Sequence, residues 1–136
     1  MNTIQLAATM ENLDPSLDFL EEGFLQEGID QKMAMKLRLA CEEVIVNVIH
    51  YAYPGQEGTF QVSYRVDGGE ELTIVVRDQG VPFDPLQRED PDISLSLDER
   101  EIGGLGIFMV RNIMDDLAYQ REDGSNVLTM KKTVRK

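Results

Sequence analysis

Residues 42–54 read EEVIVNVIHYAYP and form the second half of the longest helical pattern in the chain. From residue 33 into this stretch, apolar side chains recur at the spacing of an amphipathic helix. The apolar stripe consists of Met33, Leu37, Ala40, Val44 and Val48. Asp30 is a suitable N-cap, and Pro54-Gly55 ends the pattern. We therefore predict a helix from about residue 31 to 53, with one face buried against a second layer.

Polar side chains interrupt this helix on one side. Each residue advances about 100°, so Glu43 and Asn47 lie about 40° apart and His50 lies about 20° from Glu43 on its other side. Glu42 is about 140° from Asn47 and cannot join them. A solvated face would explain the three side chains equally well, but a ligand would also use a carboxylate beside an amide, since unpaired buried polar groups are costly.

The rest of the chain alternates between the two-residue period of strands and the longer period of helices. In order, we predict a strand at 3–9, a helix at 15–27 with Asp14 as its N-cap and Pro15 as its first residue, a hairpin of strands at 59–66 and 72–78, a third helix opening at Gly103, and two strands flanking Asp123-Gly124-Ser125. The acidic stretch 84–102 between them is a predicted lid. Paired strands and grouped helices favour an α+β two-layer sandwich, with helices on one face of a mixed, largely antiparallel sheet.

Composition narrows the classes of function. The 136 residues fit one domain, 1–136, and no apolar run approaches the roughly 20 residues of a membrane span. A net charge of −12 argues against a nucleic-acid partner and leaves a basic protein partner open. The N-terminus has no export signal, so we expect a cytoplasmic protein. Cys41 is the single cysteine and is expected to be a core residue.

Two further segments could carry chemistry. The buried-strand pattern ends abruptly in Asp78-Gln79-Gly80, where a carboxylate could accept a hydrogen bond from an exocyclic amine and the glycine could let a ring approach. Gly103-Gly104-Leu105-Gly106 precedes the third helix, whose N-terminus favours phosphates. Asp-x-Gly is also a common turn, and a lone Gly-x-Gly is weak and lacks the Lys-Ser/Thr of a P-loop. One histidine and one cysteine are too few for a usual zinc site.

Taken together and in this order, Glu43 to Asn47, Asp78 to Gly80 and Gly104 to Gly106 resemble the three sequence boxes of the GHKL ATPases, which include gyrase-type ATPases and histidine kinases. The chain length and the stretches EEVIVNVIHYAYP, DQGVPFDP and GGLGIFMV look most like the stand-alone anti-sigma-factor serine-protein kinases. The resemblance runs from about residue 37 to 133. It implies a Bergerat-type, histidine-kinase-like ATPase sandwich that binds ATP and Mg²⁺.

The resemblance also implies residue roles. Glu43 would act as general base toward a water or a protein serine hydroxyl, and Asn47 would hold Mg²⁺. Asp78 would bind adenine, and Thr129 is a weaker candidate for a contact to adenine or its water. The implied nucleotide-binding set is Asn47, His50, Asp78, Gly80, Gly103, Gly104, Leu105, Gly106 and Thr129.

The implied function is a regulatory serine/threonine-protein kinase that phosphorylates an anti-anti-sigma partner, sequesters a sigma factor, or does both. A homodimer is a further expectation, because the N-terminal strand and helix offer spare apolar surface. The sequence departs from the family pattern at Pro82, where a second glycine is usual, and at Ile102, where an arginine is usual. A catalytically weak or inactive module that regulates a protein partner by binding alone is therefore an alternative.

Overall fold

A computed structural model of the chain describes residues 1–87 and 104–134. The described helices are α1 (Leu13–Gln26), α2 (Gln31–Tyr51) and α3 (Gly104–Ile113), with short 3-10 turns at Met10–Asn12 and Pro85–Gln87. The strands are β1 (Asn2–Ala7), β2 (Thr59–Asp67), β3 (Glu71–Asp78), β4 (Asp116–Glu122) and β5 (Ser125–Thr133). The predicted lid at 84–102 lies outside the described residues except for its first four positions.

The five strands form one sheet in the order β1-β2-β3-β5-β4. All described pairings are antiparallel, so the sheet is simpler than the mixed sheet we expected. Cross-strand rows on the inner face run from Tyr64, Ile74 and Met130 to Phe60, Asp78 and Asn126. The first of these rows is buried with side chains of all three helices, which confirms the predicted α+β sandwich with helices on one face.

The longest helix, α2, provides the centre of the helical layer. Asp30 caps it as predicted, since its carboxylate accepts a hydrogen bond from the backbone N–H of Met33 at 2.8 Å. Helix α1 begins at Leu13, so Asp14 lies inside its first turn instead of capping it, and Pro15 follows in the same turn. Proline is tolerated there because the first N–H groups of a helix have no partner within the helix.

The thiol of Cys41 lies in the core on α2 and is fully buried, as expected. Burial raises the pKa of this thiol to about 12, so it stays protonated and unreactive at neutral pH. In the part of the chain that the structure describes, no helix has the length and apolar character to cross a bilayer.

A close contact between Gly23 on α1 and Tyr64 on β2 joins the first helix to the sheet. A Cβ atom at position 23 would overlap the hydroxyl oxygen and Cζ of Tyr64. The Tyr64 ring meets Phe19 and Phe24 edge-on, with ring centroids 5.6 and 5.8 Å apart. Gly23 is therefore required for packing and not for backbone conformation.

We expect Gly23→Ala to lower the free energy of unfolding by about 1–3 kcal/mol, because the new methyl group overpacks against Tyr64. A glycine-to-alanine change in a helix interior would otherwise stabilise by about 0.5–1 kcal/mol, so the two accounts differ in sign. Urea denaturation measures the difference, and a Tyr64→Leu background should remove the penalty. A stabilised Gly23→Ala protein would contradict the packing account.

Candidate functional site

A narrow cavity lies on the helical side of the sheet, between α2, the end of β3 and the beginning of β5. It has a volume of about 20 Å³. Its lining residues are Val44, Asn47, Val48, Val76, Asp78, Phe83, Pro85, Tyr119, Asn126 and Leu128. This volume holds about one water, so a purine ring requires the cavity to widen.

Asp78 is the buried carboxylate of this cavity, with only 3% of its surface exposed. Its Oδ1 accepts hydrogen bonds from the backbone N–H of Gly80 at 2.8 Å and from Nδ2 of Asn126 at 2.9 Å. Among the described residues no donor contacts its Oδ2. Asp78 therefore offers one unused acceptor to the cavity, as binding of an exocyclic amine would require.

Asn126 is a site residue that the sequence analysis did not identify. Its Oδ1 accepts hydrogen bonds from the Tyr119 hydroxyl at 2.5 Å and from the Phe83 N–H at 3.2 Å. Its Nδ2 donates to Val81 O at 2.8 Å in addition to Asp78. A sequence signal was present, because Asn126 occupies the strand phase shared by the buried Leu128 and Met130.

Asn47 also lines the cavity and is 3% exposed. Among the residues that the structure describes, its buried Nδ2 has no hydrogen-bond partner, and such an unpaired amide is uncommon in a folded protein. The described residues contain no group of three or more His, Cys, Asp or Glu that could hold a metal ion. An ion held here would therefore take one amide oxygen from Asn47 and the rest of its ligands from phosphates and water, which suits Mg²⁺.

Glu43 lies one helical turn before Asn47 on α2 and is partly buried. Desolvation by burial, and then the charge of Glu42, raises the pKa of the Glu43 carboxyl above its ordinary value. Helix α3 approaches so closely that a Cβ at Gly106 would overlap Oε2, Cδ and Cγ of Glu43. The glycine at this position therefore leaves room for the Glu43 carboxylate.

Gly80 has a similar steric role at the other end of the cavity. A Cβ at this position would overlap the carbonyl oxygen of Ala52, the C-cap residue of α2. The neighbouring Val81 N–H donates to that carbonyl at 2.8 Å, so Gly80 lets the end of β3 join α2 directly. Arg121 donates to Gly80 O at 2.7 Å and attaches the same turn to β4.

Tyr53 holds the turn from its opposite side. Its hydroxyl donates to Thr59 O at 2.6 Å and accepts from the Gln79 N–H at 2.8 Å. Pro82, which stands where the family pattern usually has a second glycine, is exposed and does not form a wall of the cavity. Phe83 lines the cavity instead, and its ring centroid lies 5.3 Å from that of Tyr51.

The remaining predicted site residues are His50, Thr129, Gly103, Gly104 and Leu105. His50 is exposed at the end of α2 and does not line the cavity. Thr129 pairs with Val75 and Ala118 in a row on the opposite face of the sheet, so the structure does not bring it to the site. Gly104 and Leu105 begin α3, whereas Gly103 and Ile102 lie outside the described residues.

The chain resembles known proteins over nearly its whole length. The family model described as "Histidine kinase-like ATPase domain" matches residues 6–132. The serine/threonine-protein kinase BtrW of Bordetella bronchiseptica is 30% identical over 130 residues, covering 95% of this chain and 91% of that protein. The serine-protein kinase RsbW of Listeria monocytogenes is 31% identical over 114 residues, covering 80% of this chain and 69% of that protein.

Solved structures agree on the fold. A crystal structure of the RsbU and RsbW domains of a Mycobacterium tuberculosis protein superposes with a TM-score of 0.67 at 16% identity, covering 100% of this chain and 34% of that one. The family match therefore rests on sequence and on architecture together. The chain belongs to the histidine kinase-like ATPase domain family.

Proposed function

We propose that this protein is an ATP-dependent serine/threonine-protein kinase of the anti-sigma-factor type. The observation that carries the proposal is that Asn47 and Asp78, two buried polar residues on different elements, line the same cavity. Glu43 lies one turn from Asn47 on the same helix, so a candidate metal ligand and a candidate base share one rigid element. The relatives named as serine/threonine-protein and serine-protein kinases support the same activity.

Each residue then has a defined task. Asp78 Oδ2 accepts a hydrogen bond from the 6-amino group of adenine, and Asn47 holds Mg²⁺ through its amide oxygen. When bound, Mg²⁺ would neutralise charge on the phosphates. The first turn of α3, from Gly104 to Gly106, presents backbone N–H groups and the positive end of the helix dipole to them.

Glu43 acts as the general base. Its carboxylate takes the proton of a serine hydroxyl while the serine oxygen bonds to the γ-phosphorus. The bond from that phosphorus to the β,γ-bridging oxygen breaks, and ADP leaves. A raised pKa improves a carboxylate as a proton acceptor, provided that it remains ionised at the working pH.

The protein partner follows from the same proposal. A serine of an anti-anti-sigma protein is the phosphoacceptor, a sigma factor is the alternative binding partner, and both act in the cytoplasm. The net charge of −12 suits basic surfaces on such partners. A module that regulates by binding alone is not favoured, because relatives about 30% identical to this chain are named as kinases.

The experiment that tests the proposal compares Glu43→Gln with Glu42→Gln. Purified protein is mixed with Mg²⁺, γ-labelled ATP and an anti-anti-sigma protein, and label on the partner is counted. We expect Glu43→Gln to slow transfer by about 10²–10⁴-fold, because it removes the general base. We expect Glu42→Gln to stay within a few-fold of the wild type, since Glu42 faces away from Asn47.

ATP binding by the wild-type protein and by each variant is measured by calorimetry alongside the transfer rates. Both variants should still bind ATP, so that the loss is assigned to the chemical step. Equal rates for Glu43→Gln and the wild-type protein, or equal losses for the two glutamines, would rule out Glu43 as the base. A wild-type protein that binds ATP but labels no partner would refute the kinase and leave the regulatory binding module.

The rate of phosphotransfer should depend on pH through Glu43. The carboxyl group must be ionised to accept a proton, so the rate falls as pH decreases through its pKa. Because burial and Glu42 raise that pKa, the acid limb should lie above the usual range for glutamate. Glu42→Gln removes the second cause and should move the limb to lower pH. A limb that stays fixed or moves upward in Glu42→Gln would contradict this assignment.

Gly106→Ala tests the contact between α3 and Glu43. The added methyl group overlaps a flexible side chain that can turn toward solvent, so the protein should fold with nearly unchanged thermal stability. The displaced carboxylate should slow phosphotransfer by at least about tenfold, because misplaced catalytic groups lose orientation. Phe108→Ala, an exposed change on the same helix, is the control. Full activity of Gly106→Ala would show that this contact is not needed for catalysis.

A further inference from the structure

We propose that Asn126 is a positioning residue for base specificity, because together with the Gly80 N–H it determines which side of the residue at position 78 faces the nucleotide. The inference rests on the proposed function, since it concerns the adenine end of the same cavity. Asn126 is 6% exposed and joins β5 to three other segments, through Asp78 on β3, Tyr119 on β4 and the backbone of 81–83.

The amide of Asn126 has only one satisfactory orientation. Its two oxygen partners, the Tyr119 hydroxyl and the Phe83 N–H, are donors toward it, and its two nitrogen partners, Asp78 Oδ1 and Val81 O, are acceptors. Val81 O can never donate, and the Phe83 N–H can never accept. Rotating the amide by half a turn would therefore place its NH₂ group against the Phe83 N–H and its oxygen against Asp78 Oδ1 and Val81 O. Nδ2 thus remains pointed at Asp78.

This orientation fixes the polarity of the side chain at position 78. Asp78 Oδ1 faces two donors, Asn126 Nδ2 and the Gly80 N–H, so whatever group lies there must be an acceptor. A carboxylate then presents its second oxygen to the cavity as an acceptor as well. It suits a 6-amino purine and disfavours a 6-oxo purine, whose carbonyl would leave two acceptors opposed.

The same constraint makes a reversal of specificity predictable. In Asp78→Asn, the amide oxygen must take the place of Oδ1, because both partners there donate. The amide NH₂ then faces the cavity and donates to a 6-oxo group. The direction of specificity is thus set by Asn126 and Gly80, although neither of their donors needs to contact the base.

The test measures Kd for ATP and for ITP by calorimetry, with Mg²⁺ present. ITP is the probe because it replaces the 6-amino group by a carbonyl without adding the 2-amino group of GTP. We expect the wild type to prefer ATP by at least about tenfold. We expect Asp78→Asn to prefer ITP, and Asp78→Asn combined with Asn126→Ala to prefer ITP less strongly, since the Gly80 N–H is then the one remaining donor of the pair that orients the amide at position 78.

Two further variants keep the result interpretable. If the double variant does not fold, Asp78→Asn with Asn126→Ser replaces it, because a serine hydroxyl can accept as well as donate and so should orient the amide at position 78 less strongly than Nδ2 does, which weakens the preference for ITP. Val127→Thr is the matched control, since this neighbour lies in the opposite phase of β5 and should keep the wild-type preference.

The preference ratio separates positioning from mere stability, because a purely structural change would weaken ATP and ITP equally. The inference is overturned if Asp78→Asn loses preference without reversing it, or if the reversal persists undiminished without the Asn126 amide. It is also overturned if removing Asn126 tightens binding of both nucleotides equally, which would mean that the residue only holds the cavity closed. Wild-type protein that binds neither nucleotide would instead refute the proposed function itself.

Discussion

A carboxylate buried at the end of β3 is the constraint on which the rest of the site depends. Burying Asp78 without partners would cost more than the roughly 1–3 kcal/mol of an unpaired neutral polar group, because the carboxylate is charged. The fold supplies two donors from different parts of the chain, the Gly80 N–H and Asn126 Nδ2. The first needs a tight turn against Ala52, and the second needs β3 and β5 in their observed register. A slip of one residue would turn Asn126 to the outer face of the sheet.

The other candidate site residues lie on helix α2 and differ in how deeply they are buried. Asn47 is buried beside the cavity, Glu43 is partly buried one turn earlier, and His50 is exposed at the end of the helix. This gradient suits the proposed roles, because a metal ligand benefits from fixed surroundings and a base must reach a second protein. Gly106 lets the first turn of α3 pack close to α2, because its missing side chain leaves room for the Glu43 carboxylate.

Periodicity and capping made much of this architecture predictable from sequence. The α2 stripe, its Asp30 cap and the two hairpins depend on neighbours within a few residues, and helix geometry alone separated Glu43 from Glu42. Asn126 was missed because its role arises from pairing with a residue 48 positions away. Thr129 was misplaced by its family analogy, which took no account of the strand phase. The steric demands of Gly80 and Gly106 were also hidden, because they concern other elements and not the local turn.

The most direct measurement of the central claim is the thermal unfolding of the wild-type protein with Mg²⁺ and increasing ATP or GTP. A ligand that binds only the folded state stabilises it by about 2.7 kcal/mol at a hundredfold excess over Kd. A cavity that offers an acceptor from Asp78 should give this increase with ATP and little or none with GTP. Equal stabilisation by both nucleotides would contradict the assignment of Asp78, and no stabilisation by ATP would contradict the nucleotide site as a whole.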